Sequence, residues 1–154
     1  MAILKEGDKA PKFKGIDQNG EEINLDQYKG KKLVLYFYPK DNTPGCTSEA
    51  CNLRDNYSDF LNKGMDVIGV SPDDEISHQK FIDKHDLPFR LISDPDKKIL
   101  NQYNAWGEKK MYGKTYEGVL RKTYIIAEDQ TIEKIFEKVK TKDHTNQIFT
   151  SLNI

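Results

Sequence analysis

Lys32 to Tyr38 (KLVLYFY) is a nearly continuous apolar run rich in β-formers, the pattern of a strand covered on both faces. Met65 to Val70 (MDVIGV) is a second run of this kind. Between them the period changes. From Thr47 onward, Leu53, Tyr57, Phe60 and Leu61 fall at i, i+4, i+7 and i+8, which predicts a helix ended by Gly64. Upstream, Lys12 to Leu25 contains Asn19-Gly20, a strong hairpin signal. Downstream, Ser71-Pro72-Asp73-Asp74 reads as the opening of a helix: Ser71 as cap, proline at the first helical position and acids in the first turn.

Leu87 to Ile92 reads as a strand, and Asp94-Pro95 as the start of a helix carrying Ile99, Leu100 and Tyr103. Gly107 to Gly118 reads as a loop rich in Gly, Lys and Tyr. Gly118 to Ile126 and Thr131 to Val139 read as strands joined by a turn at Glu128-Asp129-Gln130, and a helix around Asn146 to Leu152 follows. The order predicts a three-layer α/β fold with a mixed sheet. The βαβ units supply its parallel pairs and the last two strands an antiparallel hairpin.

Composition narrows the function classes. The 154 residues suit one domain, 1–154, and a chain of this length builds a core without disulfide staples. Two cysteines are too few for a zinc site made of cysteines alone. Lys+Arg is 24 against Asp+Glu 25, interspersed, so no broad field draws in nucleic acid or anionic lipid. The Lys-rich stretch from Glu133 to Lys142 reads as a solvated strand face and loop. The first residues carry no apolar stretch behind a basic start, and no window has the length of a membrane span. The expectation is a cytoplasmic protein, and there a cysteine pair is more often catalytic, redox-sensing or metal-binding than structural.

Both cysteines lie in YPKDNTPGCTSEACNLRDNY, Tyr38 to Tyr57. Cys46 falls where the first long strand gives way to a helix, the place where reactive groups gather in open α/β sheets. The unpaired N–H groups and positive dipole end of a helix start stabilise a thiolate. Thr43 is placed to offer a hydroxyl near the sulfur or its target. Pro39 and Pro44 fix φ and help exclude water. A buried, inert cysteine is the competing reading for Cys46, and it has no need of these neighbours. Cys51 is five residues on: a rise of about 7.5 Å and a rotation of about 140° past a full turn. Two Cα atoms so placed are about 8–9 Å apart, beyond the roughly 7 Å a disulfide spans. Cys46 and Cys51 therefore cannot pair while this segment is helical, and pairing requires local unwinding.

The run Pro39-Lys-Asp-Asn-Thr43-Pro-Gly-Cys46 resembles the P-x-x-x-T-x-x-C signature of peroxiredoxins. A second cysteine five residues on resembles the bacterioferritin comigratory protein (PrxQ) subfamily. The resemblance extends over nearly the whole chain, through Gly7 to Phe13, Leu25 to Gly30, and GVLRKTYII (Gly118 to Ile126). It implies a thioredoxin-like fold with an N-terminal β-hairpin extension and thiol-dependent reduction of H₂O₂ and organic hydroperoxides, with no metal or organic cofactor. Carried over by position, Cys46 is the peroxidatic nucleophile and Cys51 the resolving thiol. Thr43 and the N–H groups of Gly45 and Cys46 hold the peroxide. Arg121 stabilises thiolate and transition state, and Pro39 shapes the pocket. A thioredoxin-type dithiol restores the thiols, and the subfamily is often monomeric. On the expected strand, Arg121 shares a face with Val119, Thr123 and Ile125, a costly place for a charge without a partner or a function.

Other residues carry weaker signals. His78, His85 and His144 share no zinc-ligand spacing with the cysteines. Glu49 is one turn beyond Cys46 and fits either a bond within the site or a solvated face. Trp106, Tyr112 and Tyr116 fit packing better than a pocket rim. Two rival functions stay open: a thiol–disulfide oxidoreductase or redox sensor acting on proteins, which has no need of Thr43 or Arg121, and a non-enzymatic holdase, which would not depend on Cys46.

Overall fold

The computed structural model describes residues 3–154. Its centre is β3 (Lys32–Phe37), buried from Leu33 onward as its apolar run demands. β4 (Met65–Ser71) pairs parallel with β3, and β5 (Arg90–Ser93) pairs parallel with β4. On the other side β8 (Lys122–Ile126) and β9 (Ile132–Phe136) add antiparallel. An N-terminal hairpin, β1 (Lys14–Asp17) with β2 (Glu22–Asn24), joins antiparallel to β5. The order across this sheet is β2-β1-β5-β4-β3-β8-β9.

Alternation along β3 divides the core in two. Leu33, Leu35 and Phe37 face a cluster with Phe13, Leu25, Ile99, Leu100 and Tyr103. Val34, Tyr36 and Tyr38 face a second cluster containing Cys46, Ala50, Leu53, Phe60, Phe81 and Ile148. The second layer is built from α1 (Pro44–Asp55), α2 (Tyr57–Asn62), α3 (Glu75–His85) and α5 (His144–Leu152). The short α4 (Lys98–Gln102) and the N-terminal segment cover the opposite face. This is the expected three-layer, mixed-sheet, thioredoxin-like α/β fold with its N-terminal hairpin.

Several local expectations are corrected. The single helix expected from Thr47 to Leu61 is two, broken at Asn56, whose side chain donates to the Asn52 carbonyl at 2.8 Å. Hydrophobic period runs through such a break because both pieces face the same core. Ser71 does not cap α3: it ends β4, and its hydroxyl donates to Asp73 at 2.8 Å. Asp74 is the cap, accepting from the Ser77 N–H.

The loop expected at Gly107 to Gly118 is a hairpin, β6 (Trp106–Met111) with β7 (Lys114–Val119), forming its own two-stranded sheet. Tyr112 and Gly113 turn it with φ of 54° and 76°, the positive pair that a two-residue hairpin turn requires. Most of β7 is exposed, so the sequence carries no apolar alternation to announce it. The strand expected from Gly118 to Ile126 is likewise interrupted. β7 ends at Val119 and β8 starts at Lys122, which leaves Leu120 and Arg121 as a link between the two sheets. No helix among the described residues is long and apolar enough to cross a membrane.

Candidate active site

Beyond β3, the Tyr38 N–H donates to the Val70 carbonyl and prolongs the parallel ladder by one bond. The chain then turns through Pro39 to Thr43. Buried Asp41 fixes this turn. Its carboxylate accepts from Tyr38 Oη at 2.6 Å and Ser77 Oγ at 2.8 Å and lies 2.8 Å from His78 Nδ1, while its N–H donates to Asp73 at 2.8 Å. The ligand atoms of Asp41, Asp73 and His78 fall within 4.8 Å of one another, but the network's own hydrogen bonds occupy them. Asn42 takes the left-handed conformation (φ 60°), and Thr43 returns to extended backbone as the N-cap of α1, with Pro44 in its first turn.

The Thr43 hydroxyl does not cap the helix. It donates to the Lys40 carbonyl at 2.8 Å, which leaves its oxygen as an acceptor. Gly45 and Cys46 occupy the first helical turn, where N–H groups have no intrahelical partner. Cys46 is buried. Arg121, arriving from the link between the sheets, donates from Nη2 to Cys46 Sγ at 3.3 Å and from Nη1 to Glu49 Oε1 at 2.6 Å. A Cβ on Gly45 would stand 3.3 Å from Arg121 Nη2, so the guanidinium lies close against the helix backbone.

Glu49 is fully buried, and burial pushes its pKa up to about 7 against the opposing pull of Arg121. Behind it stands buried His144, from the first turn of α5, with Nε2 3.8 Å from Glu49 Oε2 and 2.8 Å from Thr123 Oγ1. Gln147 accepts on Oε1 from the Lys140 N–H and donates from Nε2 to the Lys138 carbonyl, which fixes its amide. Its Oε1, 2.8 Å from His144 Nδ1, therefore needs a hydrogen on that nitrogen. Nε2 then carries the lone pair that accepts from Thr123. Burial pushes the His144 pKa down to about 4.

Cys51 is half-buried on the same helix, and both cysteines are free thiols. Since α1 runs unbroken through both, the helical separation worked out from spacing applies. Cys51 Sγ lies 3.8 Å from His85 Nδ1 at the end of α3. The next residue, Asn52, is tied to the start of α5: its Oδ1 accepts from the Thr145 N–H at 2.8 Å, its carbonyl from Thr145 Oγ1 at 3.3 Å, and its Nδ2 donates to the Lys142 carbonyl at 3.2 Å.

The structure thus gathers Pro39, Thr43, Gly45 and Cys46 on one strand-to-helix turn, with Arg121 against the sulfur, and holds Cys51 apart. Glu49 belongs to the site rather than to a solvated face; three positions past Cys46 on a helix, it shares that residue's side. His144 carried no local signal, since only the packing of α5 brings it to Glu49. Trp106 lies under Lys97 Nζ (5.1 Å to the ring), and Tyr112 and Tyr116 stand on the exposed hairpin.

A thioredoxin-like scaffold that sets a buried thiol in a helix's first turn, against a guanidinium, is that of a thiol-dependent peroxidase. The chain belongs to the AhpC/TSA family, which residues 6–135 match. It is 44% identical to Peroxiredoxin Bcp of Escherichia coli over 99% of this chain and 97% of the relative. A PrxQ mutant of Xylella fastidiosa superposes with a TM-score of 0.91 at 29% identity, over 99% and 98% of the two chains. The bacterioferritin comigratory protein of Xanthomonas campestris, known for alkyl peroxide reduction, gives 0.85 at 32% identity, over 92% of this chain and 90% of its own.

Proposed function

We propose that Cys46 is the peroxidatic nucleophile of this thiol peroxidase and that H₂O₂ and organic hydroperoxides are its substrates. The observation that carries this is the Arg121 contact on Cys46 Sγ at 3.3 Å, made by a guanidinium that Glu49 holds from its other end. Because the Thr43 hydrogen is committed to Lys40, Thr43 Oγ1 accepts the peroxide O–H, and the N–H groups of Gly45 and Cys46 donate to the peroxide oxygens. The thiolate attacks the terminal oxygen. An S–O bond forms, the O–O bond breaks, and the alkoxide takes up a proton and leaves as alcohol, or as water from H₂O₂. Arg121 meets the charge that develops on the breaking bond, the electrostatic contribution that is usually largest in catalysis. Cys46 is left as a sulfenic acid. Pro39, half-buried at the loop start, shields it.

In the second half-reaction Cys51 condenses with the sulfenic acid to give the disulfide and water, after the helix between them unwinds. A thioredoxin-type dithiol then restores both thiols by exchange. No step needs a metal or organic cofactor. The protein works as one domain, a monomer in the cytoplasm, where such reductants are found.

Stopped-flow reaction of the reduced protein with H₂O₂, followed by intact mass, tests the assignment. Wild type reacts fast and loses two hydrogens. Cys51→Ser reacts fast and stalls as a sulfenic or more oxidised acid, and Cys46→Ser is inert. A wild type no faster than a free thiol would leave thiol–disulfide exchange on protein partners as the better reading.

A further inference from the structure

His85 has no part in the chemistry described so far, yet its ring meets a reacting atom. Cys51 Sγ and His85 Nδ1 are 3.8 Å apart, within reach of an S–H···N hydrogen bond. With the thiol as donor, Nδ1 presents its lone pair to Cys51 and Nε2 carries the hydrogen. The ring is held in place. Phe81, one turn earlier on α3, meets it edge-on with centroids 5.3 Å apart. Across the helix interface Arg54 Nη1 donates to the His85 carbonyl at 2.7 Å. That bond is a second link from α1 to the end of α3, one turn beyond Cys51, and Arg54 also pairs with its neighbour Asp55 at 2.8 Å.

We infer that His85 is the general base of the resolving step: it takes the proton of Cys51 while α1 is still helical and releases a thiolate when the helix unwinds. The inference rests on the assignment of Cys51 as the resolving thiol. Thiolate rather than thiol attacks sulfenic sulfur, and an ordinary cysteine is only a few per cent thiolate at pH 7. The balance is as follows. The Cys51 proton passes to His85 Nδ1. The Cys51 sulfur attacks the Cys46 sulfur, the S–S bond forms, and the S–O bond breaks with loss of hydroxide. Hydroxide recovers the proton from His85, directly or through solvent, and leaves as water. The sulfenic sulfur is reduced and the Cys51 sulfur oxidised, with no other reactant.

A base must be unprotonated to act, and the setting favours that form. Burial lowers the His85 pKa, with Lys84 on its own helix and Arg54 on α1 acting in the same direction. Asp55 and Asp86 are the acids beside this group, and both act on Arg54. The neutral ring, the form able to accept a proton, is the one this setting favours.

The experiment separates the two half-reactions in the full chain. Rapid-mixing fluorescence and quenched-flow intact mass follow wild type, His85→Gln and His85→Ala from pH 5.5 to 9.5. Oxidation of Cys46 proceeds at the wild-type rate in both variants, because His85 does not touch that sulfur. Disulfide formation slows on the order of tenfold at pH 7, and the gap closes near pH 9 as solvent hydroxide does the same work. Glutamine can still accept the S–H bond but cannot carry the proton. Resolution by His85→Gln at the wild-type rate across this range would therefore overturn the inference and leave the role of Cys51 intact. Faster resolution in His85→Ala would also overturn it, since the contact would then be a latch that holds Cys51 back. A wild type that forms no Cys46–Cys51 disulfide would remove the resolving assignment and this inference together.

Discussion

Arg121 and Cys46 are 75 positions apart in the chain and 3.3 Å apart in space. Nothing in the local sequence of either residue brings them together. The break between β7 and β8 does so, by turning the chain from the hairpin into the main sheet at the point where α1 begins. One guanidinium then serves two partners, sulfur at Nη2 and carboxylate at Nη1.

That division of labour predicts that lysine cannot replace Arg121. An ammonium is a single point of charge and cannot hold two partners in a fixed fork. Arg121→Lys and Arg121→Ala both lower the second-order rate with H₂O₂, by on the order of 100-fold for the alanine. Both remain folded by circular dichroism. A lysine variant with wild-type rates in stopped flow would show that charge alone suffices.

Thr43 gives a cleaner separation of activity from stability. Its hydroxyl makes one bond, to the Lys40 carbonyl, and does not cap α1. Thr43→Val keeps the shape and removes the acceptor. Peroxide reactivity falls by on the order of tenfold to 100-fold, while unfolding free energy falls by about 1 kcal/mol, one ordinary hydrogen bond. Thr43→Ser restores most of the rate. Equal losses in rate and in stability across the two variants would place Thr43 in the scaffold only.

Glu49 and His144 act in opposite directions on stability. The Glu49 pKa is raised from 4.5 to about 7 on folding, so between those values the unfolded chain gives up its proton first and stability falls as pH rises. The His144 pKa is lowered from 6.5 to about 4, so between those values the unfolded chain holds the extra proton and stability rises with pH. Each swing is about 3 kcal/mol, and the two nearly cancel between pH 4.5 and 6.5. Relative to wild type, Glu49→Gln therefore gains stability as pH rises from 4 through 7, and His144→Gln loses it over the same range. Urea unfolding at half-unit pH steps measures both difference curves; two flat curves would mean that neither group titrates abnormally.

The continuous α1 predicts a change in amide exchange. In the dithiol form Ala50 to Arg54 are helical, and protection there is high. In the disulfide form the geometry of a helix no longer fits the bond between Cys46 and Cys51, so protection over these residues drops. Exchange followed by mass spectrometry on both redox forms reads this directly, and equal protection would show that the helix survives oxidation.

How far the site could be read from sequence depended on the range of each contact. The strand-to-helix turn with Pro39, Thr43 and Cys46 was legible because its elements are contiguous and each carries its own period. Glu49 was half legible: its spacing placed it beside Cys46, but only the arrival of Arg121 shows that it is buried. Alternation after Gly118 predicts a strand through Arg121 where the structure has a link, so the resemblance marks the residue while its structural setting does not show in the sequence. The β6–β7 hairpin left no trace because most of β7 is exposed on both faces and has no alternation to show. His144 and His85 depend wholly on helix packing across the molecule, which no window of sequence records.

Asn52 ties the helix that carries both cysteines to the start of α5. Three hydrogen bonds bind it to Lys142 and Thr145, next to the residue that must move if Cys51 is to reach Cys46. Each is worth roughly 0.5–1.5 kcal/mol net, so together they set a barrier to that movement. If Cys51 resolves Cys46 as proposed, the C-terminal helix, which supplies no reacting atom, acts as a timer. A firmer grip on Asn52 prolongs the life of the sulfenic acid and exposes it to a second peroxide; a looser grip shortens both.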